Sequence, residues 1–103
     1  MYTRNVRIKL KANSVPEFTR IFEKEIIPLL RKQKGFQDEI SLVAPERNEV
    51  VAISFWDKQD NAEAYNHATY LDVLRLLSRV VDGMPVMDTF EVSTSTFCWN
   101  ARS

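Results

Sequence analysis

The sequence predicts an α+β fold of the ferredoxin-like kind: a split βαβ repeat on one antiparallel four-stranded sheet. Three observations predict it. A strand, a helix and a strand follow one another over residues 6–43, and the same order returns over residues 50–99. Each half runs to roughly 45 residues, the size of a βαβ-type unit. Gly35, Pro45, Gly83 and Pro85 fall where the hydrophobic period changes, and such residues punctuate elements.

The elements follow in order. Val6, Ile8 and Leu10 alternate with Asn5, Arg7, Lys9 and Lys11, the period of a strand with one apolar face. Ser14-Val15-Pro16-Glu17 reads as a capping box with proline in the first turn. Phe18, Ile21, Phe22, Ile26, Leu29 and Leu30 then recur at helical spacing, up to a C-cap at Gly35. Pro28 lies inside this helix and lacks a backbone donor, so a kink or break is expected in the last turns. Phe36, Asp38, Ile40 and Leu42 alternate with Gln37, Glu39, Ser41 and Val43 as a second strand, and Pro45 to Asn48 is a turn. Val50 to Trp56 is apolar but for Ser54, which predicts a strand buried on both faces. Asp60 is the expected cap of a second helix, whose stripe is Ala62, Tyr65, Leu71, Leu74, Leu77, Val80 and Val81. Thr69-Tyr70-Leu71-Asp72 restarts that helix after a bend, and Gly83 and Pro85 end it. Val86 to Trp99, rich in Val, Thr and Phe, is the expected long last strand with a tail.

Bulk properties narrow the function classes. The 103 residues make one domain, 1–103. A chain of this size buries roughly two-thirds of its unfolded surface and gains from a partner subunit. Lys+Arg and Asp+Glu are both 14, so net charge is zero and no electrostatic argument favours nucleic acid or an anionic membrane. Cys98 is the single cysteine, which precludes a disulfide within the chain and suits a reducing compartment. Residues 1–11 carry no secretory signal, and no apolar run reaches membrane-spanning length. A cytoplasmic protein is expected. With two glycines there is no Gly-rich phosphate loop. His67 is the only histidine, so no multi-histidine metal site forms within one chain. Asp57, Asp60, Glu63, Asp72 and Asp82 fall at turns and helix starts, where capping accounts for them. No metal and no cofactor is expected.

The plan puts both helices on one face of the sheet and leaves the other open. Turning the larger Val51, Ile53 and Phe55 toward the helices puts Ala52, Ser54 and Trp56 on the open face. Alternation adds Asn5, Arg7, Lys9, Gln37, Glu39 and Ser41, and the last strand adds Ser93, Ser95 and Phe97. A second copy facing this mixed surface would bury the aromatics and pair the charges, so a homodimer is expected.

Ile53-Ser54-Phe55-Trp56-Asp57-Lys58 followed by Asn61-Ala62-Glu63-Ala64-Tyr65 resembles the antibiotic biosynthesis monooxygenase family. So do the helix running through Pro28 to Gly35-Phe36 and the closing Phe90-Glu91-Val92. The resemblance implies a dimeric α+β barrel in which each subunit encloses a pocket between helices and sheet. Its quinone-forming members pair a strand Trp with an Asn four residues earlier. Trp56 matches the Trp, and Ala52 stands at the Asn position. Its haem-degrading members use an Asn on the first strand, a Trp on the second helix and a later His. Here Asn5 stands near the first, Tyr65 replaces the Trp, and Leu74-Arg75 occupy the His position.

Trp56, Tyr65 and Asn5 are therefore the candidate catalytic residues, and Trp56, Tyr65, His67, Tyr70 and Phe55 the candidate substrate-binding set. An indole offers a flat wall and one N–H donor, or simply a core ring. Tyr65 and Tyr70 supply hydroxyl donors for a phenolic substrate or an oxyanion, or pack as helix–sheet rings. His67 offers a base, or an exposed residue at the helix bend. It lies two positions after Tyr65, about 200° around the helix, so the two do not share a face. Asn5, Arg7, Lys9 and Glu39 form either a polar pocket or an interface network. Cys98 is read as a strand residue, and Met84 and Met87 as gap-fillers. Two functions follow. The first is a cofactor-independent oxygenase of an aromatic or quinol substrate. The second is a non-catalytic homodimer holding a small aromatic ligand. Haem degradation is disfavoured, since no histidine stands at the ligating position.

Overall fold

A computed structural model describes residues 1–97. Its elements are β1 (Tyr2–Lys9), α1 (Val15–Ile21), a π-helical turn (Phe22–Ile26), α2 (Ile27–Arg31), β2 (Phe36–Ala44), a 3₁₀ turn (Pro45–Arg47), β3 (Glu49–Trp56), α3 (Gln59–Ala68), α4 (Tyr70–Leu77) and β4 (Val86–Glu91). The sheet order is β2-β3-β1-β4 and every pairing is antiparallel. This is the ferredoxin-like arrangement.

Pairing register decides which residues share a face. Val6 lies opposite Ala52, Ile8 opposite Val50 and Arg4 opposite Ser54. Val6, Ile8, Val50, Ala52 and Trp56 meet Phe18, Ile21, Phe22, Ile26 and Leu30 of the first helical segment and Ala62, Tyr65, Val73 and Leu77 of the second in one buried cluster, and Arg4 and Ser54 are buried on the same face. Phe18 and Ile21 are 1% and 0% exposed, and each such burial stabilises the fold by about 1.5–3 kcal/mol.

Pro28 acts as expected, through a specific device. The helix does not stop; it widens into a π turn that runs directly into α2. The Ile27 N–H donates to Phe22 O, a step of five residues, so backbone pairing continues around the donor that Pro28 lacks. The break in the second helix also falls where expected. Thr69 leaves helical geometry at φ −129°, ψ −30°, and α4 begins at Tyr70.

Several expectations are corrected. Ser14 precedes α1, but its side chain makes no cap to the helix. Glu17 is drawn instead to Arg20 at 2.6 Å and Arg79 at 3.0 Å. Asp60 lies inside the first turn of α3, and Lys58 precedes the helix. β3 is inverted relative to expectation: Val50, Ala52, Ser54 and Trp56 face the helices, while Val51, Ile53 and Phe55 face the open side. Side-chain size misled here, because both faces of β3 are apolar. Pairing with β1 decides the matter. Glu39 and Ser41 turn inward with it, since they lie opposite Ser54 and Ala52. A bulge separates Phe36 from Asp38, which takes Gln37 out of simple alternation. β4 ends at Glu91, so Ser93, Ser95 and Phe97 are not strand residues. Phe97 still packs edge-on against Phe55, centroids 6.5 Å apart. The rest of the expected last strand, including Cys98 and Trp99, lies outside the described residues.

Gly35 is a close approach as well as a turn. Its φ is +81°, and its carbonyl accepts the Asp57 N–H at 2.9 Å. A Cβ there would collide with Asp57 and with Asn61, whose own Cβ would lie 2.7 Å away. Gly35→Ala is therefore expected to lower stability by about 1–3 kcal/mol, read as a fall in the denaturation midpoint without a change in slope.

Candidate functional site

A cavity of about 40 Å³ lies between the sheet and the helices. Its floor is a patch of three strands: Glu39 from β2, Ala52 and Ser54 from β3, and Arg4, Val6 and Ile8 from β1. Its roof is Phe22, Ile26 and Leu30 from the first helical segment and Tyr65, Tyr70, Val73, Leu74 and Leu77 from the second. The space exists because Ala52 and Ser54 are small where the register turns β3 inward. One water needs about 10–15 Å³. A space of this size fits a few waters, so a ring system enters only if the roof shifts.

The polar groups of this apolar cavity are few. Arg4 is 3% exposed, and its Nη2 donates to Asn66 Oδ1 at 3.0 Å. Its guanidinium carbon lies 4.9 Å from the Tyr65 ring centroid and 4.3 Å from that of Tyr70. Desolvated cation–π contacts of this kind contribute about 2 kcal/mol. The Arg4 Nε is buried with no partner, and among the described residues no carboxylate forms an ion pair with Arg4. A buried cation without an anion is costly.

Burial shifts the ionisable neighbours. Desolvation pushes the Glu39 carboxyl up to about 7, against a hydrogen bond from Ser41 Oγ at 2.8 Å that pulls it down. Tyr65 is pushed up to about 12 by burial, with the Arg4 charge opposing. Tyr70 is raised for the same reason. At neutral pH both phenols are donors, and Glu39 sits near its midpoint.

The structure separates the residues singled out from sequence. Tyr65 and Tyr70 meet in the roof, centroids 6.2 Å apart. Trp56 is 0% exposed and lies one layer behind. It stacks on Tyr65 at 5.0 Å, and its indole N–H donates to Ser54 Oγ at 2.9 Å. Asn5 and Phe55 stand on the open face, Asn5 opposite Ile53 and Asp88, and do not face this cavity. His67 is exposed on a separate outer groove of about 400 Å³ with Glu63, Asn66 and Thr89. It is turned away from Tyr65, as the helical angle requires. Arg4 borders both spaces. Arg4 and Ser54 were missed as site residues, and Glu39, weighed as a polar-pocket residue of the open face, lines this cavity instead. Arg4 had a signal: it shares the parity of Val6, Ile8 and Leu10, so one further step of alternation puts an arginine on the core face. No group of metal-ligating side chains occurs among the described residues, and none of their helices is long and apolar enough to cross a membrane.

No known protein-family profile matches the sequence, and no curated protein does. Solved structures match the fold. SnoaB, a cofactor-independent oxygenase from Streptomyces nogalater, is 18% identical, with 92% of this chain and 95% of that one covered and a TM-score of 0.76. A single-site mutant of MhuD with manganese protoporphyrin IX bound is 16% identical over 94% and 99%, also at 0.76. An antibiotic biosynthesis monooxygenase candidate from Bordetella bronchiseptica is 12% identical over 90% and 97%, at 0.76. The chain resembles the antibiotic biosynthesis monooxygenase family in fold, as its motifs imply. At these identities the likeness is one of fold alone.

The burial of Glu39 has a signed consequence for stability. Its folded value of about 7 exceeds the ordinary 4.5, so the folded state holds a proton that the unfolded state has released. The stabilisation this provides is complete below pH 4.5 and is lost as pH rises toward 7. Glu39→Gln should remove that component. Its melting temperature is expected to gain on the wild type between pH 5 and pH 8, as followed by thermal denaturation across that range.

Proposed function

We propose that this chain is a cofactor-independent oxygenase that takes an aromatic or quinol substrate into the cavity and works as a homodimer. One observation carries the reading: an apolar cavity between sheet and helices whose roof includes the Tyr65–Tyr70 pair, backed by Trp56. Aromatic rings stack favourably on such a wall. The fold shared with SnoaB, named a cofactor-independent oxygenase, supports it. In this reading the protein desolvates the substrate, orients it and stabilises its anion, while the substrate supplies the electrons that oxygen takes. Tyr65 is the hydroxyl donor, Tyr70 and the aliphatic roof exclude water, and Trp56 holds Tyr65 and Ser54 in place. Haem degradation is not favoured, since His67 opens on the outer groove and Leu74 lines the cavity.

The open face supports the dimer. Ile40, Leu42, Val86 and Phe90 are 43–58% exposed on or beside the same surface as Val51, Ile53 and Phe55. A monomer rarely leaves so contiguous an apolar sheet face to water. Arg7 and Asp88, 4.0 Å apart, add a charged spot. A second reading, binding without turnover, draws on Ala52. It puts a methyl group in the cavity floor where quinone-forming members of the family carry an amide.

Purified protein should consume oxygen above background with a panel of anthrones and hydroquinones. Ala52→Phe, which fills the cavity, should cut that rate at least tenfold with the fold intact by circular dichroism. Uptake at background level with every substrate sinks the oxygenase reading, and a co-purified aromatic in native mass spectrometry then favours binding alone. Ile53→Glu should convert a dimer to a monomer in sedimentation velocity. A wild-type monomer at micromolar concentration would rule out the dimer.

A further inference from the structure

We infer that the cavity ionises its ligand: Glu39 takes the proton of a phenolic or enolic O–H, and Arg4 holds the oxyanion that remains. The inference rests on the cavity being the substrate site proposed above, and it names the class of ligand, an acidic planar phenol or enol.

The geometry is a single row across the sheet. Glu39 lies opposite Ser54, and Ser54 lies opposite Arg4, all on the helix-facing side. Neighbouring strands are about 4.8 Å apart, so Glu39 and Arg4 stand about 10 Å apart at their backbones. Both line the same cavity, with Ser54 between them. They do not form an ion pair within 4.0 Å, although Arg4 is buried and Glu39 is half-buried in the same space. Arg4 turns instead against Tyr65 and Tyr70, and its Nε is left buried without a partner. A cation held over neutral rings, with one N–H unused, is prepared for an anion that arrives with the ligand.

Glu39 suits the other half of the exchange. Among the residues lining the cavity, the ionisable groups that share the space with it are Arg4 on β1, Tyr65 on α3 and Tyr70 on α4. Both tyrosines stay protonated, so neither competes for the proton. Burial brings the carboxyl to about 7, where it both accepts and returns a proton at neutral pH. In the step itself the ligand O–H bond breaks, its electron pair stays on the ligand oxygen, and a new O–H bond forms on Glu39. No electron changes hands, and the net charge of the cavity is unchanged. A neutral isostere gains nothing from Arg4, whereas an ionised ligand gains a desolvated ion pair.

The probe is 4-nitrophenol, whose phenolate absorbs at longer wavelength than the phenol and which ionises near neutrality. Titrated into the protein, it should bind with its ionisation shifted down by about one pKa unit, a tenfold preference for the anion. At pH 8 it should bind at least tenfold more tightly than nitrobenzene. Arg4→Gln should abolish both effects. At pH 7, where about half of Glu39 is ionised, calorimetry in buffers of different ionisation enthalpy should show almost no proton release on binding to the wild type, because Glu39 takes up the ligand's proton. Glu39→Gln should release about half a proton per ligand, the fraction of 4-nitrophenol still protonated at that pH. Equal affinities for 4-nitrophenolate and nitrobenzene in the wild type, a bound phenol with unshifted ionisation, or no binding of either compound overturns the inference without reliance on any variant. An ionised bound phenol in a protein that oxidises no anthrone leaves the inference standing and removes the oxygenase. Anthrone oxidation that Arg4→Gln leaves untouched does the reverse.

Discussion

The antiparallel pairing of β1 with β3 is the constraint on which the rest depends. A strand has period two, so one register assigns every side chain of both strands to a face. With Val6 opposite Ala52 and Ile8 opposite Val50, β3 turns its small residues and Trp56 toward the helices. Slipping that pairing by one residue would put Val51, Ile53 and Phe55 under the helices and fill the space where the cavity now lies. β2 follows β3, which is why Glu39 enters the cavity although Ile40 and Leu42 beside it face out.

Arg4 is the price of that arrangement and its chemical consequence. The parity that buries Val6 and Ile8 also buries a guanidinium. Tyr65 and Tyr70 offset part of the cost with their ring faces, and Asn66 accepts one of its N–H groups. Trp56 holds Tyr65 from behind, and its own N–H is satisfied by Ser54. The aromatic cluster thus reads as support for a cation rather than as core filling alone. The helices above are each interrupted, by the π turn before Pro28 and by the break at Thr69. A roof made of short segments can shift more readily than one of two straight helices.

The same sheet serves two purposes through its two faces. The inner face carries the cavity, and the outer face carries Ile40, Leu42, Val51, Ile53, Phe55 and Phe90. The continuous apolar run of β3 predicted burial on both sides, and Val51, Ile53 and Phe55 are only half-buried on the outer one. One chain covers only one of them. Asn5 and Phe55 belong to the outer face, so any part they take in function passes through what packs there and not through the cavity of their own chain.

Element order, the bend at Thr69, the disturbance at Pro28 and the open sheet face were all legible in the sequence, because each follows from local periodicity or backbone chemistry. Trp56, Tyr65 and Tyr70 stood out as aromatics, and the structure does bring them together. Which face of β3 meets the helices was not legible. Val51, Ile53 and Phe55 are as apolar as Val50, Ala52 and Trp56, so no pattern along one strand distinguishes them. Only pairing with β1, whose polar and apolar sides differ sharply, decides it. For the same reason the chain alone presents Arg4 and Glu39 as two charged residues 35 positions apart, and tertiary structure alone puts them on either side of Ser54, in one apolar cavity.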